Sequence, residues 1–291
     1  MGKNRLSLAE TPPEFLRWRA LSLSLSPKGV PAVLSPSEVE ALAAEIFQQH
    51  EQRALFRPIP ERIPTVEDAH DVQEAYVALL LKKFNTTVGG YKVALTSKQT
   101  RDWLKVYEPC AGQVLATRIH TSQHSERIAD YVRFSAETEI CVILDKDMSG
   151  PCTSADIRQN LRSLHCAYEL VEDRGADMTK IDAKSLASDN SWNGGIVIGP
   201  PASKDIDLTN LRGKLKINGG VTHQGTTAET MGGDPLDAVA WLVGHLGKRG
   251  KVLKAGQPVM TGSIIQSQFL GAGITLEFAM DGMPPVHLKL I

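Results

Sequence analysis

The chain has 291 residues, with 32 Lys and Arg against 33 Asp and Glu, a formal net charge of −1. That balance argues against nucleic-acid binding, which rests on a cationic excess. With 42% hydrophobic and 22% charged residues the composition is that of a globular chain, not a disordered one.

Residues 1–34 read as a leader or arm. They hold Pro12-Pro13, a Leu/Ser alternation from Leu21 to Ser26, and Pro27 and Pro31. Arg5, Arg17 and Arg19 are not followed by a continuous apolar stretch, so no secretory signal is expected. The longest apolar run, residues 75–81, is far short of the roughly 20 residues that span a bilayer. The four cysteines, Cys110, Cys141, Cys152 and Cys166, form no C-x-x-C pair, which predicts neither a disulfide framework nor a zinc knuckle and a cytoplasmic location.

A helical segment is expected over 35–88. Ser35-Pro36-Ser37-Glu38 has the form of a capping box with proline at the first helical position, and starts a helix running to about Gln52. Thr65-Val66-Glu67-Asp68 starts a second by a similar device. Its Ala69, Val72, Tyr76, Leu79 and Leu80 recur at helical spacing, and Asn85 to Gly90 ends it.

From residue 89 to 291 the texture changes to short strands with glycine punctuation, expected at 91–95, 113–116, 138–144, 167–172, 196–198, 214–218, 222–225, 259–261, 274–279 and 286–291. Asn218-Gly219 and Asp281-Gly282 read as two-residue hairpin turns. Helices are expected after Thr153 and after Asp234. The class is therefore α+β, with the strands forming a mixed roll or barrel.

The phosphate-binding, dinucleotide-binding, serine-hydrolase and zincin patterns are all absent. The eight histidines show no metal or triad spacing. Acids carry the stronger signal. In the strand around Glu137-Thr138-Glu139, period two puts Glu137 and Glu139 on one face, about 7 Å apart. Such a pair either is solvated or holds a hard cation between its oxygens. Glu169 is a lone acid in the apolar run from Cys166 to Val171, so it needs a partner: a metal, or a cation such as Arg174. Lys92, in the strand Gly90-Tyr91-Lys92-Val93-Ala94-Leu95, is either functional or on a solvated face. The polar loop from Ser188 to Gly195 either presents hydrogen-bonding groups to a ligand or is an ordinary turn.

Taken in order, Gly90-Tyr91-Lys92-Val93-Ala94-Leu95-Thr96-Ser97, Glu108-Pro109, Glu137-Thr138-Glu139, Glu169-Leu170-Val171-Glu172-Asp173-Arg174, Ser188-Asp189-Asn190, Ala238-Val239-Ala240-Trp241-Leu242, Leu253-Lys254-Ala255-Gly256 and Thr261-Gly262-Ser263 resemble the 2-keto-4-pentenoate hydratase family of the fumarylacetoacetate-hydrolase-like superfamily. The resemblance spans about Ser37 to Ile291. It implies a β-roll catalytic domain holding Mg²⁺ or Mn²⁺ on Glu137, Glu139 and Glu169, with Lys92 catalytic and Glu108 a further acid or base. It also implies substrate contacts from Leu95, Thr96, Ser97, Asp189, Asn190, Thr261 and Ser263. The implied reaction adds water to a 2-hydroxy-2,4-dienoate in aromatic catabolism, giving a 4-hydroxy-2-oxo acid. The same superfamily also contains 2-oxo diacid decarboxylases and C–C hydrolases, and a silent homologue is a third reading. A homo-oligomer is implied as well. One departure is local: Cys110-Ala111 stands where the family pattern has an acid and an aromatic residue.

Overall fold

A computed structural model describes residues 33–291; the leader expected over 1–34 lies outside the described residues, apart from Val33 and Leu34. Helix α1 spans Pro36–Glu51 and begins with the expected capping box, in which the Glu38 amide donates to Ser35 Oγ and the Ser35 amide to the Glu38 carboxylate. Helix α2 spans Val66–Phe84. Thr65 caps it and Asn85, with φ 47°, ends it in the left-handed conformation. Their apolar faces, Val39, Leu42 and Ile46 against Ala69, Val72 and Tyr76, share a core with Val171, Leu186 and Trp192 from the β region.

Thirteen strands follow: β1 (Val88–Ala94), β2 (Cys110–Leu115), β3 (Ile119–Thr121), β4 (His124–Glu126), β5 (Phe134–Leu144), β6 (Leu161–Glu172), β7 (Asn193–Ile198), β8 (Arg212–Ile217), β9 (Gly220–Thr226), β10 (Pro258–Met260), β11 (Ile265–Gln268), β12 (Thr275–Met280) and β13 (Val286–Leu290). They form two mixed sheets. One runs β2-β1-β10-β5-β6-β7-β3, with β11 also on β5; the other runs β4-β13-β12-β8-β9. Among them lie short helices α3 (Lys98–Leu104), α4 (Ser154–Gln159) and α5 (Ala183–Ser188), and the longer α6 (Pro235–Lys248).

Every expected helix and strand is present, with most strands longer than expected. Three short strands (β3, β4, β11) and two short helices (α3, α5) were not expected. Asn218 and Gly219, both with positive φ, make the β8–β9 turn as expected. Asp281-Gly282 instead lies in a longer connection, because the β12–β13 pairing ends at Phe278 and Val286.

The antiparallel pair β5–β6 is the spine, in register from Phe134 opposite Glu172 to Ile143 opposite Ser163, with a one-residue shift before Leu144 meets Leu161. Alternation sorts its side chains. Ala136, Ile140, Val142 and Leu144 of β5, with Leu164, Cys166, Tyr168 and Leu170 of β6, enter the main core with Val239, Leu242, Phe278 and Leu288. Cys141 and Ala167 turn the other way, into a small cluster with Val114, Ile196 and Met260. Glu137, Glu139 and Glu169 share that second face by parity. No described helix is long and apolar enough to cross a membrane.

Candidate active site

Three strands converge on this second face. In β1, Tyr91 and Val93 point into the main core, so Lys92 points the opposite way. Lys92 is level with Met260 of β10, and Met260 with Cys141 of β5. Glu137 is directly opposite Glu169 across β5 and β6. The ligand atoms of Glu137, Glu139 and Glu169 all lie within 4.8 Å of one another.

Each carboxylate is held by its own neighbours. Glu139 accepts from the Gly262 amide at 2.7 Å. Glu137 accepts from the Ser267 hydroxyl. Glu169, fully buried, receives Asn193 Nδ2 at 3.0 Å and lies 3.2 Å from Lys92 Nζ. Lys92 Nζ also donates to the Ser191 carbonyl at 3.0 Å. The cation that pairs with Glu169 is thus Lys92, not Arg174.

Three carboxylates against one ammonium leave local negative charge uncompensated. Burial, then Glu169 and Glu137, push the Glu139 carboxyl well above its ordinary value. Burial likewise raises Glu169, with Lys92 opposing it. Burial alone would lower the Lys92 ammonium, but Glu169, Glu137 and Glu139 outweigh it and hold it above its ordinary value. Glu169 Oε2 is buried and has no hydrogen-bond partner among the described residues. An orphaned buried oxygen beside two further carboxylates fits a divalent cation with oxygen preference.

Glu137 of the trio and Lys92 lie on the wall of a cavity of about 940 Å³, together with Leu95, Thr96, Ser97, Ser191, Gly262 and Ser263. Gly262 is required there. Its φ is +102°, and a Cβ would stand 2.0 Å from Thr96 Oγ1. That conformation aims its amide at Glu139.

Several expected contacts fall elsewhere. Asp189 does not line the cavity: it is buried between His50 Nε2 at 2.6 Å and Arg174 Nη2 at 2.5 Å. Asn190 is spent on the backbone of Gln113, accepting from its amide at 2.7 Å and donating to its carbonyl at 2.8 Å. These residues hold the loop; Ser191 and Trp192, which follow them, reach the cavity. Asn190, Ser191 and Trp192 have φ of 51°, 49° and 59°, three successive left-handed residues without glycine. Nothing local in the sequence signals that run. Thr261 is buried and donates to the Ile140 carbonyl at 2.8 Å. Glu108 is exposed on the turn after α3, off the cavity wall. Ser191 and Asn193 belong to the polar loop and Gly262 to the Thr261-Gly262-Ser263 segment, none of them singled out by the sequence, and Ser267 lies outside every candidate segment. Ser267 sits on β11, a four-residue strand too short for a periodic signal.

No family model matches the chain. It is 30% identical over 257 residues to a 2-keto-4-pentenoate hydratase of Burkholderia vietnamiensis, covering 86% of this chain and 97% of that protein. It is 28% identical over 254 residues to a 2-hydroxyhexa-2,4-dienoate hydratase of Comamonas testosteroni, covering 84% of this chain and 94% of that one. Among solved structures it matches 4-oxalocrotonate decarboxylase from Pseudomonas putida G7, complexed with magnesium and adipate. The TM-score is 0.82 and the identity 25%, over 89% of this chain and 99% of that one. The α+β roll is therefore the fumarylacetoacetate-hydrolase-like fold.

Proposed function

This chain belongs to the 2-keto-4-pentenoate hydratase family, and on that premise we propose that it adds water to a 2-hydroxy-2,4-dienoate to give a 4-hydroxy-2-oxo acid. The observation that carries the reading is the cluster of Glu137, Glu139 and Glu169 with Lys92 against Glu169, which meets one cavity at Glu137 and Lys92. Glu137, Glu139 and Glu169 would hold a divalent ion, read as Mg²⁺ or Mn²⁺ from the all-oxygen donor set. When bound, that ion supplies Lewis acidity toward the oxygens of a 2-oxo acid.

The chain's own groups do the rest. Lys92 would keep a positive charge beside the position where enolate charge develops, and its Nζ would donate a proton to that oxygen. The Ser191 carbonyl and Glu169 fix the direction of that ammonium. Gly262 and Ser267 hold Glu139 and Glu137 in place. Leu95, Thr96, Ser97 and Ser263 form the wall against which the acid would lie. Asp189 and Asn190 act one step back, by holding the loop that carries Ser191.

A second reading, decarboxylation of a 2-oxo diacid, has its own support. Where the family pattern carries an acid this chain has Cys110, whose thiol burial pushes up. Decarboxylation needs enolate stabilisation and a proton but no activated water. A panel of dienols and 2-oxo diacids, assayed with and without EDTA, separates the two: loss of dienol absorbance without CO₂ supports hydration, and CO₂ release supports decarboxylation. Self-association into a homo-oligomer and a cytoplasmic setting complete the proposal. Light scattering reads the first. The four free cysteines fit the second.

A further inference from the structure

The spacing of the histidines predicts no metal cluster, yet the fold brings a candidate group together at the sheet edge, two strands from β6. Strand β3 is the edge of the first sheet and β4 the edge of the second. The short turn between them brings His120, His124 and Glu126 together, with one ligand atom of each within 4.8 Å of the others. The two imidazoles stack with centroids 3.9 Å apart and planes 10° from parallel.

We propose that His120, His124 and Glu126 form a second metal site, for an imidazole-preferring divalent ion such as Zn²⁺, that ties the edges of the two sheets together. Three observations carry it. His120 Nε2 is buried and has no hydrogen-bond partner among the described residues, so a polar ring atom of the cluster is left unused. Glu126 is a buried carboxylate whose two oxygens are divided. Arg118 Nη2 at 2.9 Å and the Tyr131 hydroxyl at 2.8 Å hold Oε1, while Oε2 faces His124 Nε2 at 2.6 Å. That division is how an outer layer of hydrogen bonds orients a monodentate carboxylate ligand. The donor set, two nitrogens and one oxygen, suits zinc with an open fourth position, whereas the all-carboxylate trio suits magnesium or manganese. The two sites thus differ in the ion they select.

Ligation takes the place of the His124–Glu126 hydrogen bond, with His124 binding through a nitrogen that carries no proton. It also tilts the rings out of their parallel stack, because both lone pairs must meet at one point. The Arg118 charge is already matched by Glu126, so the incoming ion meets no unpaired cation there.

The test uses the full chain, stripped of metal. Calorimetry with Zn²⁺ on Glu169→Gln, which cripples the trio, is expected to show one bound equivalent, lost in Glu169→Gln/His120→Gln. Zinc bound to neither variant, or equally to both, overturns the proposal. Should Glu169→Gln not fold, Co²⁺ is titrated into the unaltered protein and into His120→Gln and His124→Gln, all saturated with Mg²⁺. The proposal expects visible cobalt bands of a tetrahedral nitrogen site in the first only, with Mg²⁺-supported turnover equal in all three. The same bands in all three overturn it.

Discussion

Glu137 on β5 and Glu169 on β6 stand directly opposite each other in the antiparallel ladder, and Lys92 faces Glu169 at 3.2 Å. Like charges opposite one another weaken a sheet pair, and here one of the two is fully buried. Such an arrangement persists where a cation is part of the design. Lys92 supplies one positive charge, and a divalent ion on the trio would supply the rest.

Divalent metal should therefore stabilise the folded protein. At a hundredfold excess over its Kd, Mg²⁺ is expected to add about 2.7 kcal/mol, read as a rise in the melting temperature that EDTA reverses. In Glu169→Gln the rise should vanish. An undiminished rise in that variant would show that the ion binds elsewhere.

Lys92→Met removes one partner of a buried pair, which costs about 3–5 kcal/mol. We expect that loss in urea denaturation with EDTA present, and a partial recovery when Mg²⁺ is added, since the ion restores compensation to Glu169. Turnover should stay at least ~100-fold down even in saturating Mg²⁺. Full activity in the metal-loaded variant would remove Lys92 from the chemistry.

Gly262→Ala forces a Cβ to within 2.0 Å of Thr96 Oγ1 at a φ of +102°. The backbone must shift, and the amide held by Glu139 shifts with it. Calorimetry should show weakened Mg²⁺ binding, with kcat reduced alongside. Unchanged metal affinity would mean that the Gly262 amide does not position Glu139.

Stability should also fall with acid through a histidine pair that is not part of the trio. His70 of α2 and His245 of α6 lie 4.5 Å apart between ring centroids. Burial, then Arg249, lowers His245 from 6.5 to about 4, and burial, then His245, lowers His70 well below 6.5. The folded values lie below the unfolded ones. The stability is therefore present above about pH 6.5 and lost as pH falls toward 4, by roughly 3 kcal/mol for His245. Urea midpoints measured from pH 7 to pH 4.5 should fall less steeply in His245→Gln than in the unaltered protein. Parallel slopes would contradict the assignment.

Much of this site can be read in the sequence, because period two pairs Glu137 with Glu139 and a lone acid in an apolar run marks Glu169. Helix starts were legible too, since Ser35, Thr65, Thr153 and Asp234 all cap as expected. The β5–β6 register was not, because pairing between distant strands leaves no local mark. Lys92 joins the trio through β10, which follows it by more than 160 residues. The caps of α3 and α5, Ser97 and Asp182, were signals that went unread. The resemblance implies Asp189 at the ligand, but its carboxylate serves His50 and Arg174.

The most direct test of the central claim is a single assay: 2-hydroxypenta-2,4-dienoate with purified protein, with and without Mg²⁺. The account predicts bleaching of the dienol absorbance in Mg²⁺, abolished by EDTA and by Glu169→Gln, with a 4-hydroxy-2-oxo acid as product. Equal bleaching in EDTA, or a Glu169→Gln variant as active as the unaltered protein, would contradict it.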